Sequence, residues 1–360
     1  MKKIILSAAT LALMLASFSS CRKNESLTVD NKINDKESAI LFKRFVQDNS
    51  PNEEKVTIDA AKGETVVLPS GTKIIFPPNV FANGVGATVT GNVSLAIQDI
   101  LKPSSMILLN KPTLTADGKM LESFGEIIVK ASQNNNPVQL RPQQKPIMVQ
   151  VPIGGNANGG NRDIPMWDGD TVIATTLNGH NQENEATSIS QSFAVNKGVD
   201  WTQISGFGIS TSGSTIFPLD ALGDWRNCDA LYNDPRPKTT ILGYFGNLFN
   251  TETGNSYSGI DPSVLFFKTA GTNTIVKLYN QILNATSDKQ GLMSYQNSIP
   301  IGQEGTFLAM SAKNGKFYAE MRDVTIPSPA SGKNYVGYSF HLSEVSETQL
   351  LNLINQMNNK

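Results

Sequence analysis

Two histidines, His180 and His341, and two cysteines, Cys21 and Cys228, bound the chemistry open to this 360-residue chain. A closed zinc shell needs four converging nitrogen or sulfur ligands, and two distant histidines with one spare thiol do not supply it, so no metal is expected there. His180 lies in the polar stretch Asn178-Gly179-His180-Asn181, which reads as a solvated loop. Asp163, Asp168 and Asp170 offer oxygens to a hard cation, but Trp167-Asp168-Gly169-Asp170 lacks the later glutamate and the ligand spacing of a calcium loop. The reading there is a plain turn. Cys228 would need a cation or a helix N-terminus to become a reactive thiolate. Arg226 is near it in sequence but Asp224 and Asp229 oppose it, so a buried small apolar residue is expected. Trp167, Trp201 and Trp225 are the candidates for a sugar-binding platform, although buried tryptophan is the commoner state in β-rich domains. Carboxylate pairs for sugar hydrolysis are defined by separation in space, and the scattered acids assign none. No catalytic residue and no cofactor are expected.

The elements that would position these residues read mainly as β. Val89, Gly91, Val93, Leu95 and Ile97 alternate with Thr90, Asn92, Ser94 and Ala96, and Ile147, Val149 and Val151 repeat the pattern, which puts one side of each strand in a core. Turn chemistry separates the runs at Pro69-Ser70-Gly71, Pro77-Pro78-Asn79, Ala116-Asp117-Gly118-Lys119 and Asn134-Asn135-Asn136-Pro137. Many short strands with regular turns predict a β-sandwich over 55–153, able to fold without the rest. Gly154-Gly155-Asn156-Ala157-Asn158-Gly159-Gly160 cannot support a regular element and lacks the Gly-Lys-Ser/Thr ending of a phosphate loop, so 154–200 is read as linker and loops. A second β-rich domain is expected over 201–360. Its strand candidates are Thr239–Tyr244, Val264–Lys268, Thr274–Tyr279, Thr306–Ala312, Lys316–Met321 and Tyr335–Phe340, with an Asn314-Gly315 hairpin. Ser346-Glu347-Thr348-Gln349 fits a capping box, and Leu350, Leu353, Ile354 and Met357 then form the stripe of a closing amphipathic helix.

Lys2 and Lys3, an apolar run from Ile4 to Ala16 and the small polar residues Ser17, Ser19 and Ser20 follow the order of a secretory signal over 1–20. The run is too short to span a bilayer before Arg22 and Lys23 begin. Residues 21–54 read as a polar tether with one short amphipathic helix around Ile40, Leu41, Phe42, Phe45 and Val46. The chain carries 30 basic and 31 acidic residues, and loss of the signal removes two lysines and no acid, leaving a mature balance of −3. That balance attracts neither nucleic acid nor an anionic membrane surface. With Cys21 taken, Cys228 has no thiol partner within the chain for a disulfide.

Phe18-Ser19-Ser20-Cys21 resembles the lipobox of bacterial lipoproteins, which implies lipid on Cys21 and a cell-envelope address, an outer membrane above all. Gly71-Thr72-Lys73-Ile74-Ile75-Phe76-Pro77-Pro78-Asn79-Val80-Phe81, with Val89-Thr90-Gly91-Asn92-Val93 and Leu121-Glu122-Ser123-Phe124-Gly125, resembles the ZU-type β-sandwich of ankyrins and netrin receptors. It is closer still to the version in uncharacterised surface lipoproteins of Gram-negative bacteria. Asp224-Trp225-Arg226-Asn227-Cys228-Asp229 and Ile299-Pro300-Ile301-Gly302 resemble parts of the second domain of those lipoproteins. The resemblance implies an interaction scaffold with a protein or glycan ligand at the cell surface and brings no activity. His341-Leu342-Ser343 resembles the site at which some relatives of the ZU-type domain cut themselves, but lies close to the C-terminus; a strand edge entering the last helix is the reading taken. Asp170-Thr171-Val172 matches an O-glycan acceptor pattern of exported proteins, making Thr171 a candidate in an expected loop, and Asn284-Ala285-Thr286 matches the N-glycan pattern. The expectation is a lipid-anchored, non-catalytic binding or scaffold module, with a self-cleaving or carbohydrate-active protein as the alternative.

Overall fold

Alternating burial builds the first half of the fold. A computed structural model describes residues 34–142, 144–152, 162–180, 188–210, 213–253, 261–283 and 285–360, with the side chains of all but 162, 172–180, 188–196 and 210. The fold is mainly β, with several sheets and a short C-terminal helix. Strands β1 (Glu54–Asp59), β2 (Glu64–Val67), β3 (Lys73–Phe76), β4 (Asn92–Ile100), β5 (Leu121–Gln133), β6 (Ile147–Pro152), β7 (Arg162–His180), β8 (Ser188–Ser210), β9 (Ser214–Leu219) and β10 (Trp225–Leu231) form one sheet. Their order across it is β1-β4-β5-β10-β7-β8-β9-β6-β3-β2. Ile74, Leu95, Ile127, Val149, Ile164, Phe217 and Cys228 all point into a single core, so the sheet wraps around its inward side chains.

Two expectations change here. The stretch read as loops within 154–200 is a pair of long antiparallel strands, β7 and β8, from Arg162↔Ser210 to His180↔Ser188. Thr171-Val172-Ile173-Ala174-Thr175-Thr176 is rich in β-branched residues, which suit an extended ribbon better than a loop. Sheet membership also continues past residue 153: β10 pairs with β5, and β9 pairs with β6. The passage to the second β-rich half therefore falls between Leu231 and Lys238. The glycine-rich segment 154–160 lies outside the described residues.

The second half stacks two sheets. β11 (Lys238–Tyr244) pairs antiparallel with Gly291–Met293 and Ile299–Pro300 and in parallel with Tyr335–Ser339. The other sheet orders Ile275–Leu278, Ser263–Thr269, Glu304–Lys313, Lys316–Thr325 and Ser343–Val345 side by side. Ser263–Thr269 is buried along its whole length because both faces are covered. Leu265 and Phe267 face the other sheet, while Val264 and Phe266 face helices α1 (Asp35–Asn49), α2 (Pro103–Leu108) and α3 (Glu347–Gln356). Asn314 and Gly315 both take positive φ, 52° and 73°, in the expected hairpin. The capping box at Ser346 and Gln349 is formed, and Leu350, Ile354 and Met357 are buried beneath it.

The expected tether over 21–54 is corrected from residue 35 onward. Asn34 caps α1 reciprocally with Glu37, Phe42 and Phe45 are buried against Phe317, and the Lys313 ammonium lies 2.7 Å from Asp35. Two buried phenylalanines bring enough apolar area to fix a helix that its propensity alone would not hold. The chain also leaves the first sheet after β4, lays α2 and residues 109–120 on the second half, and returns as β5. Thr113 donates its backbone N–H to the Ile275 carbonyl at 2.9 Å, while its hydroxyl accepts from the Ile275 N–H at 2.8 Å. Residues 33–360 accordingly form one compact unit.

Candidate functional site

A polar cluster lies where the outer face of the central strands meets residues 109–120. Asn227 and Glu126 are register partners between β10 and β5, and the next pairing, Asp229↔Ser123, skips two residues of β5 against Cys228 alone. That bulge aims Asp229 at the backbone of Phe124, whose N–H donates to Oδ1 at 3.1 Å, and Asn227 Nδ2 donates to Oδ2 at 2.5 Å. Glu126, Asn227 and Asp229 are each fully buried, and both Glu126 oxygens lack a hydrogen-bond donor. Burial pushes the Glu126 carboxyl well above the usual carboxylate range, Asp229 adds to the shift, and Lys111 opposes it. Asp229 is likewise raised by burial, against the hydrogen bonds it accepts. Lys111 donates to the Thr171 hydroxyl at 2.8 Å and lies 5.1 Å from the centre of the Trp225 ring. Its burial lowers its pKa to about 8.

The tryptophans that could have offered a sugar platform close this junction. Trp167 and Trp201 are 3% and 1% exposed, too little for stacking on a ligand. Their indole N–H groups donate to the Asp229 and Pro112 carbonyls at 2.8 and 3.0 Å. Trp225 packs partly buried against them. The expected turn at Trp167–Asp170 is instead the middle of β7, paired on one side with β10 and on the other with β8. Gly169 is there for its neighbour: a Cβ on it would lie 2.4 Å from the Trp201 ring. Asp168 forms an ion pair with Arg226, and Asp163 and Asp170 are exposed on the same strand. Thr171, expected in a loop, is in that strand with its hydroxyl engaged by Lys111.

The remaining residues separate. Cys228 is fully buried in the first core, with Sγ 3.8 Å from the Ile164 carbonyl oxygen, and burial pushes its thiol pKa up. Ser343 lies at the start of a strand pairing with Phe317–Ala319, directly before the α3 cap, and the His341 N–H donates to Glu320. Leu342 is buried with the second core. Among the described residues no group of three or more His, Cys, Asp and Glu side chains could hold a metal. His180 ends β7, where only its backbone is described; Cys21, the signal at 1–20 and Asn284 lie outside the described residues.

One surface is apolar without being covered. On the outward side of the first sheet, cross-strand register aligns Val67, Lys73, Gln150, Ile216, Ile209 and Asp163 in a single row. The next row holds Thr65, Ile75, Met148 and Pro218, and beside it Phe207 faces Pro165. Val67, Ile75, Phe207 and Ile209 are between 43% and 59% exposed, and Ile75, Phe207 and Ile209 stand beside Met148, Pro165 and Ile216. The sequence carried a signal for this in Val66-Val67, Ile74-Ile75 and Ile216-Phe217-Pro218-Leu219, where adjacent apolar residues must face opposite sides of a strand. Glu126 also had one, a single acid in the run Phe124–Val129. Comparison with family models, curated proteins and solved structures finds no match to the chain.

Proposed function

We propose that this chain is a lipid-anchored protein of the cell envelope that works as a binding or scaffold module through the outward face of its first sheet. The observation carrying this reading is the set of exposed apolar side chains Ile75, Phe207 and Ile209, which adjoin Met148, Ile216, Pro218 and Pro165 across β3, β6, β9, β8 and β7, because exposed apolar side chains that adjoin one another mark contact surfaces where scattered ones do not. The residues of the polar junction are nearly all buried, so it serves the proposed module as the clasp between its halves. Lipid on Cys21 would hold the module at the membrane, since two or three acyl chains at about 0.8 kcal/mol per buried CH₂ anchor firmly.

A photo-crosslinking residue placed at Ile209 in the full chain, expressed in cells, is expected to capture a macromolecule, whereas the same residue at the isolated, 88% exposed Val85 is not. Equal yields from the two positions would remove the binding reading. Cys21→Ala is expected to move the chain from the membrane fraction to the soluble fraction and to abolish labelling by a fatty acid. A variant that stays in the membrane would show that lipid is not the anchor.

A further inference from the structure

We infer that the outward apolar face of the first sheet binds a second copy of this chain across a two-fold axis that runs along β9. This inference rests on the reading of that face as the binding surface, and the row that register defines is what names the partner. Reading across the strands, the row is Lys73, Gln150, Ile216, Ile209 and Asp163, with Val67 beyond Lys73. Ile216 is its midpoint. Lys73 and Asp163 each lie two strands away on opposite sides, about 19 Å apart measured along the sheet at ~4.8 Å per strand spacing. Both are exposed, and neither has an ion-pair partner among the described residues.

A rotation by half a turn about an axis parallel to β9, just above Ile216, reverses the strand order while keeping height along the strands. Lys73 then lies over the partner's Asp163, and Asp163 over the partner's Lys73. Ile216 meets its own equivalent, and Gln150 lies over the partner's Ile209. In the adjoining row Ile75 lies over the partner's Pro165, and Met148 over the partner's Phe207. One contact surface thus supplies two symmetric ion pairs at the margins and a centre that is apolar apart from Gln150, a self-complementary arrangement that an isologous dimer can use.

The charge pattern also argues against the other occupants. An anionic lipid surface is held by an excess of Lys and Arg, and a strongly charged protein by an excess of the opposite sign. These rows carry one charge of each sign and net to zero. Confinement to a membrane raises the effective concentration that such a contact needs.

The test is sedimentation of the full chain purified in detergent, over a range of concentrations, with circular dichroism on each variant to verify the fold. The wild type is expected to pass from monomer to dimer as concentration rises, and Ile209→Glu to stay monomeric. Lys73→Asp and Asp163→Lys are each expected to weaken association about tenfold, because each sets like charges opposite one another, and the double reversal to recover it. A chain that is monomeric throughout overturns self-association, as does a dimer indifferent to Ile209→Glu. A dimer that Ile209→Glu abolishes but the double reversal fails to recover overturns the two-fold proposed. Should Ile209 crosslinks in cells persist for a monomeric chain, self-association alone falls; should crosslinks and dimer both be missing, the binding reading falls with it.

Discussion

A fragment of residues 54–153 is expected to show no cooperative unfolding in urea, while residues 34–360 unfold with a sharp transition. Alternation and turns in that stretch suggest an independent sandwich, but the order of the sheet argues otherwise. Cutting at 153 leaves β1-β4-β5 and β6-β3-β2 as two three-stranded pieces, because β10, β7, β8 and β9 lie between them. Each piece is left with a newly bare edge, where β5 had paired with Trp225–Leu231 and β6 with Ser214–Leu219. The core also loses Ile164, Met166, Phe217, Leu219 and Cys228, all at most 1% exposed. At roughly 1.5–3 kcal/mol for each large apolar side chain, the four besides the cysteine represent about 6–12 kcal/mol, similar to the whole stability of an ordinary domain at about 5–15 kcal/mol. Far-UV circular dichroism against urea checks it. A fragment with a single sharp midpoint would mean that the two pieces close on each other without the intervening strands.

The strands, the Asn314-Gly315 hairpin and the capped last helix were legible because each depends on its own neighbours along the chain. Register, capping and positive φ at Asn314 are local matters. The boundary at 154–200 was not legible, because glycine has two meanings. In Gly154–Gly160 it marked a weak segment by composition, but in Trp167-Asp168-Gly169-Asp170 it leaves room for an indole 32 residues away. A turn signal and a close-packing signal are identical until the partner is known. The three tryptophans pose the same problem: their burial comes from residues 109–120 crossing the sheet, a long-range event that no periodicity announces. Glu126 could be seen as an acid in an apolar run, yet its cross-strand neighbour Asn227 and nearby Asp229 come from a strand a hundred residues later.

Glu126→Gln is expected to stabilise the protein increasingly as pH rises from about 4.5 to 7.5. The wild-type carboxyl is fully buried with no hydrogen-bond donor on either oxygen, so the fold favours its protonated form and its folded pKa lies above the unfolded value of about 4.3. An acid shifted in this direction gives its full stability below the unfolded pKa. The contribution is lost as pH rises, because the unfolded chain releases a proton that the folded chain retains. The slope for one such proton reaches about 1.4 kcal/mol per pH unit. Asp229, raised for the same reason, adds a second contribution of the same sign. Lys111, lowered to about 8, has the opposite sign: its penalty is present at low pH and is relieved only as pH rises above that value. On the acid side, carboxylates held low by partners, such as Asp35 beside Lys313, lose their contribution as pH falls below about 3.9. The window between those limits belongs to the buried pair. Near pH 4 a neutral glutamic acid and a glutamine are almost equivalent in shape and charge, so the two proteins should unfold at nearly the same urea concentration. As pH rises above the unfolded carboxyl value the wild-type midpoint falls and that of the variant falls less steeply, since the variant keeps only the Asp229 contribution of that sign. Parallel midpoints across the window would mean that Glu126 is solvated or paired in solution, and that the junction between the two halves opens more than its packing implies.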